Sequence, residues 1–178
     1  MKNPATPLPL EGLGADGPHP ELAAKLALFG QFIGDWSIEA QWYGSDGVVT
    51  RRAAGELHFG WILGGRAIQD VWIAYKEDSG EKLAAGTTIR FYDPVLNGWR
   101  CIWISPTQNV VRTFLAIKVG GEIVLEPADE TIHERWIFSE ITANSFRWRA
   151  QESTDERKTW QMTEEMRMRR MIDLVRSP

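Results

Sequence analysis

Arg90, Tyr92, Trp99, Cys101, Trp103, Arg112 and Phe114 lie within one short stretch of the chain, and Asp70 precedes them. These residue types can grip an amphipathic anion. Aromatic walls cover the apolar body, and a guanidinium fork holds a carboxylate through two charge-assisted hydrogen bonds. A second chemistry is proton transfer, for which Asp70 and Tyr92 are the weak catalytic candidates. Asp70 sits mid-strand between Gln69 and Val71; it serves as a base if it points inward and is a solvated carboxylate otherwise. Cys101 between arginines reads either as an activated nucleophile or as an inert buried thiol. His19, His58 and His133 lack ligand spacing, so no metal site is expected. No Gly-x-Ser-x-Gly or phosphate-cradling loop occurs. No cofactor is expected.

Those side chains need elements to aim them. Residues 1–19 are rich in Pro and Gly and read as a flexible arm without regular structure. Pro20 can open a helix, and Leu22, Leu26, Phe29 and Ile33 recur near helical spacing, which predicts a short capping helix within 20–33, ended by Gly34. The period then becomes twofold. Strands are expected at 35–44, 49–62, 65–76, 83–92, 98–104, 109–118, 122–127, 133–142, 145–152 and 158–168, with turn residues between them. Short connections between about ten strands indicate an antiparallel up-and-down meander, whose edges vanish on closure into a barrel. The fold expected is all-β: a single barrel over 34–170 with a tail at 171–178. Residues 162–175 also contain many helix formers, so an α+β helix-grip fold is the alternative.

The nine tryptophans are spread over most of these strands. Each brings a large apolar body and one N–H. So many demand a big interior, a lined pocket or an interface. Opposing Tyr92 to Trp99 puts Arg90 across from Cys101, and opposing Ile104 to Asn109 puts Cys101 across from Arg112. One sheet face then carries Thr88, Arg90, Tyr92, Trp99, Cys101, Trp103, Val110, Arg112 and Phe114. The other carries Ile89, Phe91, Arg100, Ile102, Ile104, Val111, Leu115 and Ile117. Which face is interior stays open. At the Ala143-Asn144 hairpin, opposing Thr142 to Ser145 sets Glu140 across from Arg147 as a surface ion pair and gathers Ile137, Ile141, Phe146 and Trp148 inside.

Gly34-Asp35-Trp36, after a short helix and before a meander, resembles the Gly-x-Trp of the calycin superfamily of lipocalins and fatty-acid-binding proteins. Tyr92-Asp93-Pro94 leading to Gly98-Trp99-Arg100, then Trp103, Ser153-Thr154-Asp155 and Lys158-Thr159-Trp160, are similar to a lipocalin-like bacterial family within that group. The resemblance implies a barrel without an assigned reaction, and a last-strand arginine, Arg167 or Arg169, packed near Trp36. Haem-binding barrels of this group use a late histidine; residues 145–178 contain none.

A net charge of −4 and the lack of a basic stripe argue against nucleic acid. A lone cysteine fits a reducing compartment, and the absence of an uninterrupted run of about 18 apolar residues argues against a membrane span; a cytoplasmic protein is expected. The leading reading is a noncatalytic binder of a small hydrophobic molecule, carboxylate-bearing if Arg90 and Arg112 meet it. An isomerase- or cyclase-type enzyme in the same pocket, and a homodimer seamed by the aromatic face, are the rivals.

Overall fold

Alternating apolar residues and tight turns produce a ring. The computed structural model describes residues 8–75 and 79–171. The ring strands are β2 (Gly34–Tyr43), β3 (Val49–Ile62), β4 (Ala67–Tyr75), β5 (Lys82–Asp93), β6 (Gly98–Ser105), β7 (Val110–Val119), β8 (Glu122–Pro127), β9 (Glu134–Ser139), β10 (Ser145–Glu152) and β11 (Gln161–Arg170). Each pairs antiparallel with the next, and β11 returns to pair with β2, so the barrel is closed. The expected helix-grip alternative is thereby set aside: the methionine-rich end is strand up to Arg170. Residues 172–178, most of the expected tail, lie outside the described residues, as do 1–7. No helix among the described residues is long and apolar enough to cross a membrane.

The N-terminal segment differs from expectation. Leu8–Leu13 form a helix, α1, and Gly14–Ala15 form a short strand, β1, paired with Ile62 and Trp61 of β3. The end of β3 projects beyond its pairing with β2, which stops at Phe59. β1 covers that open edge, which outweighs the poor intrinsic propensity of the segment.

A single-turn 3-10 segment, Pro20–Leu22, leads into helix α2, Ala23–Gly30. The helix stops at Gly30, earlier than Gly34; position 30 is held to glycine because a Cβ there would come within 2.8 Å of the Trp61 ring. Leu26 and Phe29 of α2 and Phe32 beyond it plug one end of the barrel and are fully buried. Phe29 meets Trp99 edge-on at 4.8 Å, and Phe32 meets Phe146 at 4.6 Å. Gly34 then starts β2 with φ +117°, a conformation that an L side chain rarely adopts.

The arginine beside Trp36 is Arg170, rather than Arg167 or Arg169. Register decides this: Arg170 pairs with Trp36, whereas Arg169 pairs with Ser37 and Arg167 with Glu39. The Arg170 guanidinium lies 4.1 Å over the Trp36 ring. It donates to the carbonyls of Ile33 (2.8 Å), Gln31 (3.1 Å) and Ala143 (2.8 Å), while the Trp36 indole donates to Phe32 O at 2.7 Å. One side chain thus ties the plug, the first strand, the last strand and the β9–β10 turn together. Arg170→Ala should cost roughly 2–4 kcal/mol by denaturant unfolding, and Arg167→Ala under about 1 kcal/mol; equal losses would contradict this role for Arg170.

Candidate functional site

The mixed aromatic and arginine face is the interior, and the aliphatic face points outward. Above the plug, the barrel holds a cavity of about 420 Å³. Its open end is formed by the end of β2, the start of β3, the end of β6 and the starts of β7, β9 and β11, where Trp42, Arg51, Gln108, Arg112, Glu134 and Glu164 lie.

Indoles form a continuous band around the wall. Ring centroids are 6.0 Å apart for Trp72–Trp103, 6.2 Å for Trp103–Trp136 and 5.2 Å for Trp136–Trp148. Gly86 makes the band possible, because a Cβ there would meet the Trp103 ring at 2.2 Å. Phe138 and Trp148 face each other directly across β9 and β10.

At the bottom of the cavity the Arg90 guanidinium lies 2.5 Å from Asp70 Oδ2. Both residues are buried, 3% and 2% exposed. The β4–β5 register aligns Asp70 with Thr88, whose backbone N–H donates to Asp70 Oδ1 at 3.0 Å. Phe29, Phe59 and Phe138 surround the guanidinium at 5.3, 5.3 and 5.8 Å. Its Nε has no hydrogen-bond partner among the described residues. That is a donor left unspent in a place where unspent donors are costly.

At the mouth, two carboxyls are destabilised as anions. Burial pushes Glu164 up to about 7, against the opposing pull of the Arg51 charge and the Trp42 indole; the charge of Glu134 adds to the rise. Glu164 Oε1 is buried without a partner. Burial also raises Glu134, although its Oε1 accepts from the Trp136 indole at 2.5 Å and Arg112 lies 4.0 Å away. A carboxyl half-protonated near neutrality can donate or accept a hydrogen bond, or move a proton.

The expected site residues divide. Arg90, Trp103 and Arg112 line the cavity. Arg112 does not flank Cys101: it pairs with Trp103, and Phe114 pairs with Cys101. The turn after β6 keeps its expected length but lies one residue further along the chain, since Ser105 closes the ladder against Val110 where Ile104 against Asn109 was expected. This two-residue shift keeps faces and changes neighbours. Phe114 backs Trp136 at 4.2 Å. Cys101 is fully buried, and desolvation pushes its thiol up to about 12, so it is a packing residue. Trp99 packs on the plug. Tyr92, at that same closed end, donates to Asn97 Oδ1 at 2.7 Å and is not on the cavity wall. Asp70 points inward, as a base would, and its carboxylate is held by Arg90.

Sequence reasoning missed the mouth carboxyls and two of the four indoles, Trp72 and Trp136. Glu140 has φ +52°, an extra residue in the β9–β10 connection, so Arg147 pairs with Ser139. The one-residue slip turns Phe138 and Trp136 inward instead of Ile137. The Glu140–Arg147 ion pair still forms at 3.2 Å. Glu164 had a visible signal: it interrupts the alternation of Met162, Met166 and Met168 at an interior position.

No protein-family model matches the chain, and no curated protein matches it. Among solved structures, it is similar to the S-type phycobiliprotein lyase CpeS from Guillardia theta (TM-score 0.58, 11% identity, covering 82% of this chain and 92% of that one). It is also similar to Rv2717c from M. tuberculosis (TM-score 0.55, 11% identity, covering 87% of this chain and 99% of that one). Both are calycin-like ten-stranded barrels. At this identity the likeness carries the fold alone.

Glu164 also gives the site a pH signature. Its folded value, about 7, is above its ordinary 4.5. The native state therefore binds the extra proton between these values, and stability present below about 4.5 is lost as pH rises to about 7. Glu164→Gln should flatten that part of the urea stability profile. An unchanged pH dependence in the variant would show that Glu164 is not held protonated.

Proposed function

We propose that this protein is a noncatalytic binder of a small planar hydrophobic molecule held inside the barrel. The observation that carries this reading is the band of four indoles around one enclosed wall. The cavity volume lies within the range of small-molecule sites, about 300–1,000 Å³. Flat aromatic surfaces favour a flat partner, since stacked and edge-on ring contacts add about 0.5–1.5 kcal/mol beyond area burial.

The polar end of the ligand follows from charge. Arg90 has its counter-ion in Asp70, and Arg112 is at the mouth beside Glu134. The two arginines do not converge as a fork for one carboxylate. What Arg90 offers is an unspent Nε–H in a neutral pair, which suits an uncharged acceptor such as a carbonyl oxygen. A carboxylate at that depth would also face Asp70.

Proton transfer is the second reading, favoured by Glu164 alone. The two earlier candidates are less suited to it: Asp70 is engaged by Arg90, and Tyr92 is away from the cavity. In this reading Glu164 carries the proton.

Calorimetric titration with acetylnaphthalene, naphthalene and naphthoate tests the binding mode. Acetylnaphthalene should bind best and naphthoate worst. Trp103→Ala should weaken binding about tenfold or more, on the order of 1.4 kcal/mol. The paired variant Asp70→Leu with Arg90→Met should keep the fold, since apolar replacement of a buried pair is tolerated, and should erase the preference for acetylnaphthalene over naphthalene. Tightest binding of naphthoate would overturn the neutral-acceptor assignment. No binding of any of the three, with none displaced from the purified protein, would overturn the binder reading.

A further inference from the structure

The outside of the barrel has two unlike halves. On β2, β3, β10 and β11 the outward positions are largely polar, with Glu39, Arg52, Arg147, Arg149, Arg167 and Arg169 among them. Several of these form ion pairs, such as Arg167 with Glu165 at 2.8 Å and Arg149 with Glu122 at 2.7 Å. On β5, β6 and β7 the outward positions are mostly apolar, Ile89, Ile102, Ile104, Val111, Leu115 and Ile117 among them, with Thr87, Arg100 and Thr113 interspersed. Val111, Leu115 and Ile117 are 62%, 38% and 55% exposed. Three strands spaced about 4.8 Å apart and about eight residues long give a face of roughly 14 by 26 Å, bordered by Glu122 and Glu126 of β8. A mostly apolar face of that size on a monomer fits an interaction surface.

The charges bordering this face say what covers it. Arg100, Leu115 and Glu126 lie side by side in one row across β6, β7 and β8. Arg100 and Glu126 thus flank an exposed leucine with opposite signs; Arg100 also holds Asp93 of its own chain through Nε at 2.6 Å, so across the seam it meets Glu126 with its remaining guanidinium N–H groups. A two-fold axis running along β7 through Leu115 carries the Arg100 side of one copy onto the Glu126 side of the other. Both charge pairs then form at once, on either side of a leucine-on-leucine centre. This is the self-complementarity that an isologous dimer requires, with an apolar centre and a charged rim. We propose that β5–β8 form the seam of a homodimer, sheet face on sheet face, with Arg100 of each copy meeting Glu126 of the other. The aromatic face, the seam in the rival sequence reading, is inside the barrel and unavailable. The proposal is independent of what fills the cavity.

Sedimentation velocity over a concentration series tests it. The wild type should be a dimer, and Ile117→Lys a monomer with an unchanged far-UV spectrum and unfolding midpoint, because the side chain is exposed. Glu126→Arg sets like charges against Arg100 across the seam and should weaken the dimer about tenfold or more; adding Arg100→Glu should restore it. A wild type that stays monomeric at every concentration would overturn the proposal. So would a dimer that survives Ile117→Lys, or charge exchange that fails to rescue. A monomer that instead co-sediments with phosphatidylcholine vesicles would also overturn it, by assigning the face to a lipid surface.

Discussion

A closed ring of ten strands is wider than its own side chains can fill. About eight strands leave an interior that side chains just occupy; two more open a gap that something must cover. The chain resolves this unequally along the barrel axis. One end is filled by α2 and the phenylalanines around it. The other is lined rather than filled, because flat indoles cover wall area without meeting in the middle. The cavity is a consequence of strand number and residue shape together, and every functional reading of this molecule starts from it.

The Arg90–Asp70 pair lies at the border between the filled and the lined halves. Desolvating two charges there is expensive, and the pair is neutral overall only while both partners remain. Three phenyl rings and the Thr88 backbone amide support it. The pair is nevertheless left incomplete. The Nε–H groups of Arg147 and Arg149 also lack an acceptor among the described residues; what sets Arg90 apart is that it lines the cavity. At the opposite end of the cavity the raised carboxyls of Glu134 and Glu164 give the mouth a polarity that depends on pH. The site is therefore apolar along its length and polar at both ends.

Much of the architecture was legible in the residues. Twofold alternation and turn residues located all ten barrel strands, because a half-buried antiparallel strand must alternate. The Gly34–Trp36 segment marked the entry to the barrel. The division into an aromatic and an aliphatic face on β5–β7 also survived, since the error in the β6–β7 turn was two residues and two-residue errors conserve faces. What alternation alone could not settle was which face is inside: Arg90 argued for outside, and only its pairing with Asp70, distant in sequence, reverses that argument. The single-residue bulge at Glu140 was equally invisible, and it exchanged Ile137 for Phe138 and Trp136 on the cavity wall. The arginine over Trp36 likewise differs from the expected Arg167 or Arg169 by one residue of parity: it is Arg170. The structure of residues 8–15 depends on a long-range partner, the free end of β3, that local composition does not reveal.

The most direct measurement of the central claim is a crystal structure of the protein grown with acetylnaphthalene. The account predicts one molecule stacked among Trp72, Trp103, Trp136 and Trp148, with its carbonyl oxygen within hydrogen-bond reach of Arg90 Nε and the Asp70 ion pair intact. Indoles collapsed onto one another with no space between them, or the aromatic molecule bound only on the outer surface, would contradict it.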